Sequence, residues 1–186
     1  MLNAFLEPHF PDPADRQRVM GAFVRQAYPR GAHLLEAGAV CSRLVFVESG
    51  VLQFYTVPDS GEARTTYVCG AGSFAVSLAS FFGETPARES IRAISPASVL
   101  ELDKQGLRAL TDGLPAFRTF YTYLLEWQIC CIDESRLQLL TLSAEARYAR
   151  LLREEPHLLR EIPLQYLASV LGVTPRHLSR IRNQIR

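Results

Sequence analysis

The sequence predicts an α+β protein: an N-terminal double-stranded β-helix (jelly roll), a long helix, and a C-terminal helix-turn-helix. Three observations carry this. Residues from about 30 to 103 break into short β-rich runs separated by Gly and Pro turns. Residues 115–142, "PAFRTFYTYLLEWQICCIDESRLQLLTL", contain no glycine and no internal proline. The closing stretch, "LASVLGVTPRHLSRIRNQIR", carries four arginines, a histidine and no acid. The chain therefore divides into a β domain over 1–114, a helix over 115–142 and a terminal domain over 143–186.

Within the β domain, "RLVFVESGVLQFYTV" holds two β-rich runs split by Ser49-Gly50, which predicts a tight hairpin. Pro58, Asp59 and Gly61 suit the next turn. "ARTTYVCGAG" supplies another strand and a glycine corner. "SIRAI" and "SVLELD" supply two more, divided by Ser95-Pro96.

Pro115 fits the first turn of the long helix. Phe117, Tyr121, Leu124, Gln128, Cys131 or Ile132, Ser135 and Leu139 recur at helical steps and form a mostly apolar stripe. At about 1.5 Å per residue such a helix is roughly 42 Å long, more than a small β domain can cover. A second copy of the chain is the simplest cover for the overhang. Trp127 and the adjacent Cys130-Cys131 are expected to be plain helix packing.

Ser143 and Glu145 start a further helix that Pro156 ends, and Pro163 opens the next. There Leu164, Leu167, Ala168 and Leu171 share one face, and Gly172 stops the helix. Val173 packs inward, Thr174 suits an N-cap, and Pro175 suits the first helical position. Leu178, Ile181 and Ile185 then share the inner face of the last helix, while Arg176, Ser179, Arg180 and Asn183 fall opposite. Arginine can bond both major-groove acceptors of guanine, and asparagine can pair with adenine. Serine and further arginines suit phosphates, as does the helix N-terminus. The expected contacts to double-stranded DNA are Thr174, Arg176, His177, Ser179, Arg180 and Asn183.

Charge distribution agrees. Residues 143–186 hold eight Arg against four Glu, a net of +4, within a chain of net +1. A basic end suggests an acidic partner, with nucleic acid first. No apolar run reaches the roughly 18 residues of a membrane span. The N-terminus lacks a basic start followed by an apolar core, so a cytoplasmic, membrane-free protein is expected. Cys41, Cys69, Cys130 and Cys131 form no CxxC pair, and no histidine stands at metal spacing, so reduced thiols and no metal are expected.

A β-roll, a long helix and a terminal helix-turn-helix resemble the bacterial CRP/FNR transcription regulators over nearly the whole chain. "GAHLLEAGAVCSRLVFVESGVLQFY" is similar to that family's opening β-roll segment, with Gly31, Gly38 and Gly50 at its turn glycines. "RYARLLREEPHLLREIPLQYLASVLGVTPRHLSRIRNQI" is closer still to a subgroup of it. The resemblance implies a cyclic-nucleotide-binding-like sensor domain and a homodimer whose recognition helices enter successive major grooves of an inverted repeat. It puts Arg180 at the arginine used on base edges, with Arg176 and His177 at neighbouring contacts. RNA polymerase is a possible further partner.

Two departures bear on function. Cyclic-nucleotide members carry Gly-Glu and, about ten residues on, Arg followed by Ser or Thr, which hold the ribose and cyclic phosphate. Here Val76-Ser77 stand at the first pair, Glu84 is too near Arg88, and Glu89 follows Arg88 where a hydroxyl is expected. A carboxylate there repels phosphate, so cyclic nucleotide binding is not expected. Arg88 is expected in a surface ion pair with Glu84 or Glu89, with another anion as the alternative. Any small-molecule effector is placed beside Phe74, Val76, Ser77 and Arg88, under the long helix at Tyr123 and Trp127. Second, the family continues into a β-hairpin wing, whereas this sequence stops at Arg186, so the wing is read as absent or truncated.

No cysteine precedes Cys41, against an iron–sulfur sensor, and His33 is the one histidine of the β region, read as a strand or turn residue. A cupin-like enzyme needs two or three histidines in the barrel, so catalysis is not expected. A protein-interaction module with a basic helical end is the remaining alternative.

Overall fold

A computed structural model describes residues 1–58, 61–156 and 158–185. Asp59 of the expected turn and the terminal Arg186 lie outside the described residues. The chain opens with α1 (Leu2–Leu6) and α2 (Pro13–Gly21). Strands β1 (Val24–Tyr28), β2 (His33–Leu35), β3 (Arg43–Ser49), β4 (Leu52–Thr56), β5 (Arg64–Cys69) and β6 (Phe74–Ala75) follow. Helix α3 (Leu78–Gly83) then leads to β7 (Ser90–Ala93) and β8 (Ala97–Asp103). The rest is helical: α4 (Lys104–Gly113), α5 (Pro115–Thr141), α6 (Ala144–Glu154), α7 (Leu158–Glu161), α8 (Leu164–Val170) and α9 (Pro175–Gln184). The strands form two antiparallel sheets, ordered β1-β8-β3-β6 and β2-β7-β4-β5, and the α+β class is as expected.

Ser49-Gly50 is not a hairpin. β3 pairs with β8 and β6, whereas β4 pairs with β5 and β7, so the chain crosses here from one sheet to the other. The return crossing, between β7 and β8, packs against it: Val51 N–H donates to Ser95 Oγ at 2.9 Å, and Ile94 N–H donates to Val51 O at 2.9 Å. Gly50 sits at φ +88°, and a Cβ there would meet Pro96 O at 2.4 Å and Ala97 Cα at 2.7 Å. Gly50→Ala therefore combines left-handed strain with overlap onto backbone, and should destabilise by about 3 kcal/mol. Gly38, at φ +92° with open space around its Cβ position, supplies the control: Gly38→Ala should cost only about 1–2 kcal/mol in urea denaturation.

Strand alternation sorts side chains to two sides of the first sheet. Phe46, Phe74 and Leu100 face outward, where Phe5 of α1 meets Phe46 and Phe74 at ring separations of 5.7 and 5.5 Å. Val45, Ala75 and Glu101 face the interior of the roll. The N-terminal Leu2, Leu6 and Phe10, four residues apart, are fully buried beside Phe117 and Phe120 of α5. This first segment thus clamps the long helix to the roll.

Cys69 lies wholly inside the core, and burial pushes its thiol up to about 12. An unfolded thiol ionises near pH 9, so between pH 9 and 12 the unfolded chain releases a proton that the folded chain keeps. Stability then falls as pH rises, by about 1.4 kcal/mol per unit for this group. Tyr28 adds to the fall above pH 10, since burial and its hydrogen bond to Glu101 push its hydroxyl up to about 12. Urea denaturation from pH 8 to 10.5 should show the decline, and Cys69→Val should flatten its pH 9–10 part.

Candidate nucleic-acid interface

The terminal helices turn as their caps dictate. Gly172, at φ +68°, follows α8; its N–H donates to Ser169 O at 3.0 Å and the Val173 N–H donates to Ala168 O at 2.9 Å. These two bonds close a Schellman motif, satisfying carbonyls that a helix end leaves free. Thr174 Oγ1 then caps α9 by accepting from His177 N–H at 3.2 Å, with Pro175 at the first helical position. Arg147 of α6 fixes the turn from outside, donating to Leu171 O and to Leu142 O, each at 2.6 Å.

Leu167, Ala168, Leu171, Leu178 and Ile181 are buried together with Tyr148 and Ile162. This cluster continues into the roll, through Val51, Val68 and Ile94. The link is also polar. Ser169 Oγ accepts from Thr65 N–H at 2.8 Å and donates to Thr65 O at 3.2 Å, so α8 covers part of the otherwise open edge of β5. Ile185, expected on the inner face, is partly exposed at the last turn.

The inward set leaves Arg176, Ser179, Arg180 and Asn183 exposed on α9, with Thr174 exposed at its start. Among the described residues neither Arg176 nor Arg180 enters an ion pair. His177 differs: it is half-buried and its Nε2 lies 3.4 Å from Glu145 at the start of α6. The Glu145 carboxyl is held below its usual range by its own backbone N–H, then by the Ser143 hydroxyl and His177. Arg182, which the sequence reading left out, is exposed beside this row. The arginines of the terminal segment thus differ in their partners. Arg147 binds carbonyls and Arg150 binds Glu134 and Glu154, while those of α9 project into solvent.

The six positions read as an effector site lie in different surroundings. Phe74 is on the outer face of its sheet, in contact with Phe5 and Phe46. Val76 packs on the core, and Ser77 is buried. Ser77 Oγ donates to Glu89 Oε1 at 3.3 Å, and Thr66 Oγ1 donates to Glu89 Oε2 at 3.1 Å. Arg88 is exposed and makes no ion pair among the described residues, because Glu84 is taken by Lys104 at 2.9 Å and Arg108 at 3.7 Å. The expected Arg88–Glu84 or Arg88–Glu89 pair is therefore not formed. Tyr123 meets His9 at a ring separation of 5.4 Å yet is half exposed, Trp127 is half exposed, and Cys130 is exposed, so packing within the chain covers these positions only in part.

The stripe read along α5 divides in two. Phe117, Tyr121, Leu124, Gln128 and Cys131 turn toward the protein. The adjacent face carries Ile129, Ile132 and Leu139, exposed to 66%, 49% and 56% respectively. With Leu125 these follow steps of four, three and seven, a heptad register that the sequence reading did not isolate.

Residues 25–113 match the model of the cyclic nucleotide-binding domain. Among solved structures, the Thermus thermophilus catabolite activator protein is 24% identical, with 95% of this chain and 84% of that one covered and a TM-score of 0.60. The c-di-GMP responsive global regulator CLP of Xanthomonas campestris is 19% identical, covering 94% and 91% at a TM-score of 0.67. FixK2 of Bradyrhizobium japonicum is 16% identical, covering 88% and 84% at a TM-score of 0.73. The chain has the fold of the CRP/FNR regulators. No curated protein matches its sequence. In this CRP/FNR fold the roll, the long helix and the terminal helix pair stand in the order read from the sequence. No described helix is long and apolar enough to cross a membrane.

Proposed function

We propose that the protein is a cytoplasmic, homodimeric transcription regulator that reads double-stranded DNA with α9. One observation carries this reading: a capped, outward-facing helix bearing Arg176, Ser179, Arg180 and Asn183, with the guanidinium groups of Arg176 and Arg180 free of ion pairs among the described residues. In this reading Arg180 bonds the O6 and N7 of a guanine, and Asn183 the N6 and N7 of an adenine. Arg176, Ser179 and the Thr174 end of the helix take phosphates, and His177, braced by Glu145, supports the helix start or reaches the backbone. The heptad face of α5 meets its copy in a second protomer and sets the spacing of the two readers.

The roll, in the same reading, does not hold a cyclic nucleotide. The carboxylate of Glu89 already occupies the hydroxyls of Ser77 and Thr66, and its charge opposes a phosphate. A test of the DNA reading is the salt dependence of affinity for duplex DNA. Log affinity should fall steeply with log salt, with a slope near −0.9 per phosphate contacted. Absence of duplex binding, or binding without dependence on salt, contradicts it.

A further inference from the structure

The roll contains a cavity of about 430 Å³ away from the positions discussed above. It opens between β2, the loop after it, and the inner faces of β3, β6, β7 and β8. Leu35, Val45, Ala75 and Ile91 give it buried apolar walls. Its polar end is the carboxylate of Glu101, which is 6% exposed. Tyr28 Oη donates to Glu101 Oε1 at 2.6 Å, and Arg43 Nη1 donates to Oε2. Two ionised oxygens offer about four acceptor sites, so this carboxylate has acceptor capacity left after two bonds.

The charges around the cavity decide what would fit. Glu101 and Glu36 line it with two negative charges, and Arg43 with one positive charge. Arg43 is already paired with Glu101, and its side chain is 55% exposed, largely turned to solvent. The His33 ring lies 3.7 Å from Glu36 at the mouth. Glu36, whose side chain is 75% exposed, and Arg43 both stand at the open mouth, so the buried carboxylate of Glu101 is the charge that faces the apolar walls, which favours a cation and opposes an anion.

We propose that this cavity binds a small amphipathic amine. Its ammonium group would donate to Glu101 and toward Glu36, and its apolar body would lie on Leu35, Val45 and Ile91. The volume suits a ligand of about ten non-hydrogen atoms, at the small end of ordinary ligand sites.

The test is calorimetric titration of the full chain, without DNA, so that its result is independent of the DNA reading. The probes are 3-phenylpropylamine, the neutral 3-phenylpropanol and the anionic 3-phenylpropionate, which share one apolar body; 2-phenylethylamine and cyclohexylmethylamine extend the amine series. At least one amine should bind, and 3-phenylpropylamine should bind roughly tenfold tighter than its alcohol or acid. Glu101→Gln should remove that preference, and Ala75→Leu, which fills the cavity from β6, should weaken every probe. Should Glu101→Gln fail to fold, the comparison of amine, alcohol and acid on the unaltered chain stands alone. The proposal is overturned if no amine of the series binds, if the alcohol or acid binds as tightly as the amine, or if a folded Glu101→Gln variant keeps the preference.

Discussion

Arg180→Ala should lower affinity for the operator roughly 10²- to 10³-fold, with no loss of thermal stability. The magnitude follows from the chemistry. A bidentate arginine–guanine contact discriminates by about 1–3 kcal/mol, and a dimer makes it twice. Stability should be spared because the side chain is exposed, whereas Leu178 and Ile181 on the opposite face hold the helix. Arg180→Lys is the informative companion. It keeps the charge but not the planar fork, so it should retain the salt slope while losing preference at one base. Arg176→Ala should behave in the opposite way, weakening all sequences alike and reducing the slope. A folded Arg180→Ala protein that still binds the operator at full strength would remove α9 from the interface.

The second large effect concerns α5. Ile129→Glu with Ile132→Glu should convert the proposed dimer to a monomer in sedimentation velocity, with the far-ultraviolet circular dichroism of the roll and helices preserved. Both side chains lie on the exposed heptad face and neither belongs to the buried core, so the fold should be kept. Affinity for a two-half-site operator should drop by roughly 10²- to 10⁴-fold, the gain that linking two readers normally brings, while affinity for a single half-site stays as it was. A double variant that remains a dimer would place the self-association surface elsewhere.

The terminal helices were the most legible part of the chain because their signals are local. Thr174, Pro175 and Gly172 act through backbone groups two to five residues away, and a single sequence shows all of them. The β-roll was legible as a class, through its many short strands and glycine turns, but not in its pairing. Ser49-Gly50 fits a hairpin and a sheet-to-sheet corner equally well; what decides between them is Pro96-Ala97, brought against Gly50 by the return crossing. The docking of α8 on β5 was invisible for the same reason, since Ser169 and Thr65 are 104 residues apart.

Along α5 the difficulty was different. A long helix with apolar residues on several faces presents more than one stripe, and only the positions of Phe5, Phe10 and the sheet beneath show which stripe is covered. The effector positions rest on likeness to a cassette. Alternation in β6 turns Phe74 outward and Ala75 inward, and Glu89 takes the hydroxyls of Ser77 and Thr66. Neither effect can be seen without the strand register.

The central claim is that two copies of α9 read an inverted repeat. Selection of bound fragments from a random duplex pool, with full-length protein and an Arg176→Ala/Arg180→Ala control, tests it most directly. The account predicts an enriched inverted repeat with half-sites about one helical turn apart, roughly 34 Å, that the control loses. Enrichment of a lone, unrepeated site, or a repeat enriched equally by the control, would contradict it.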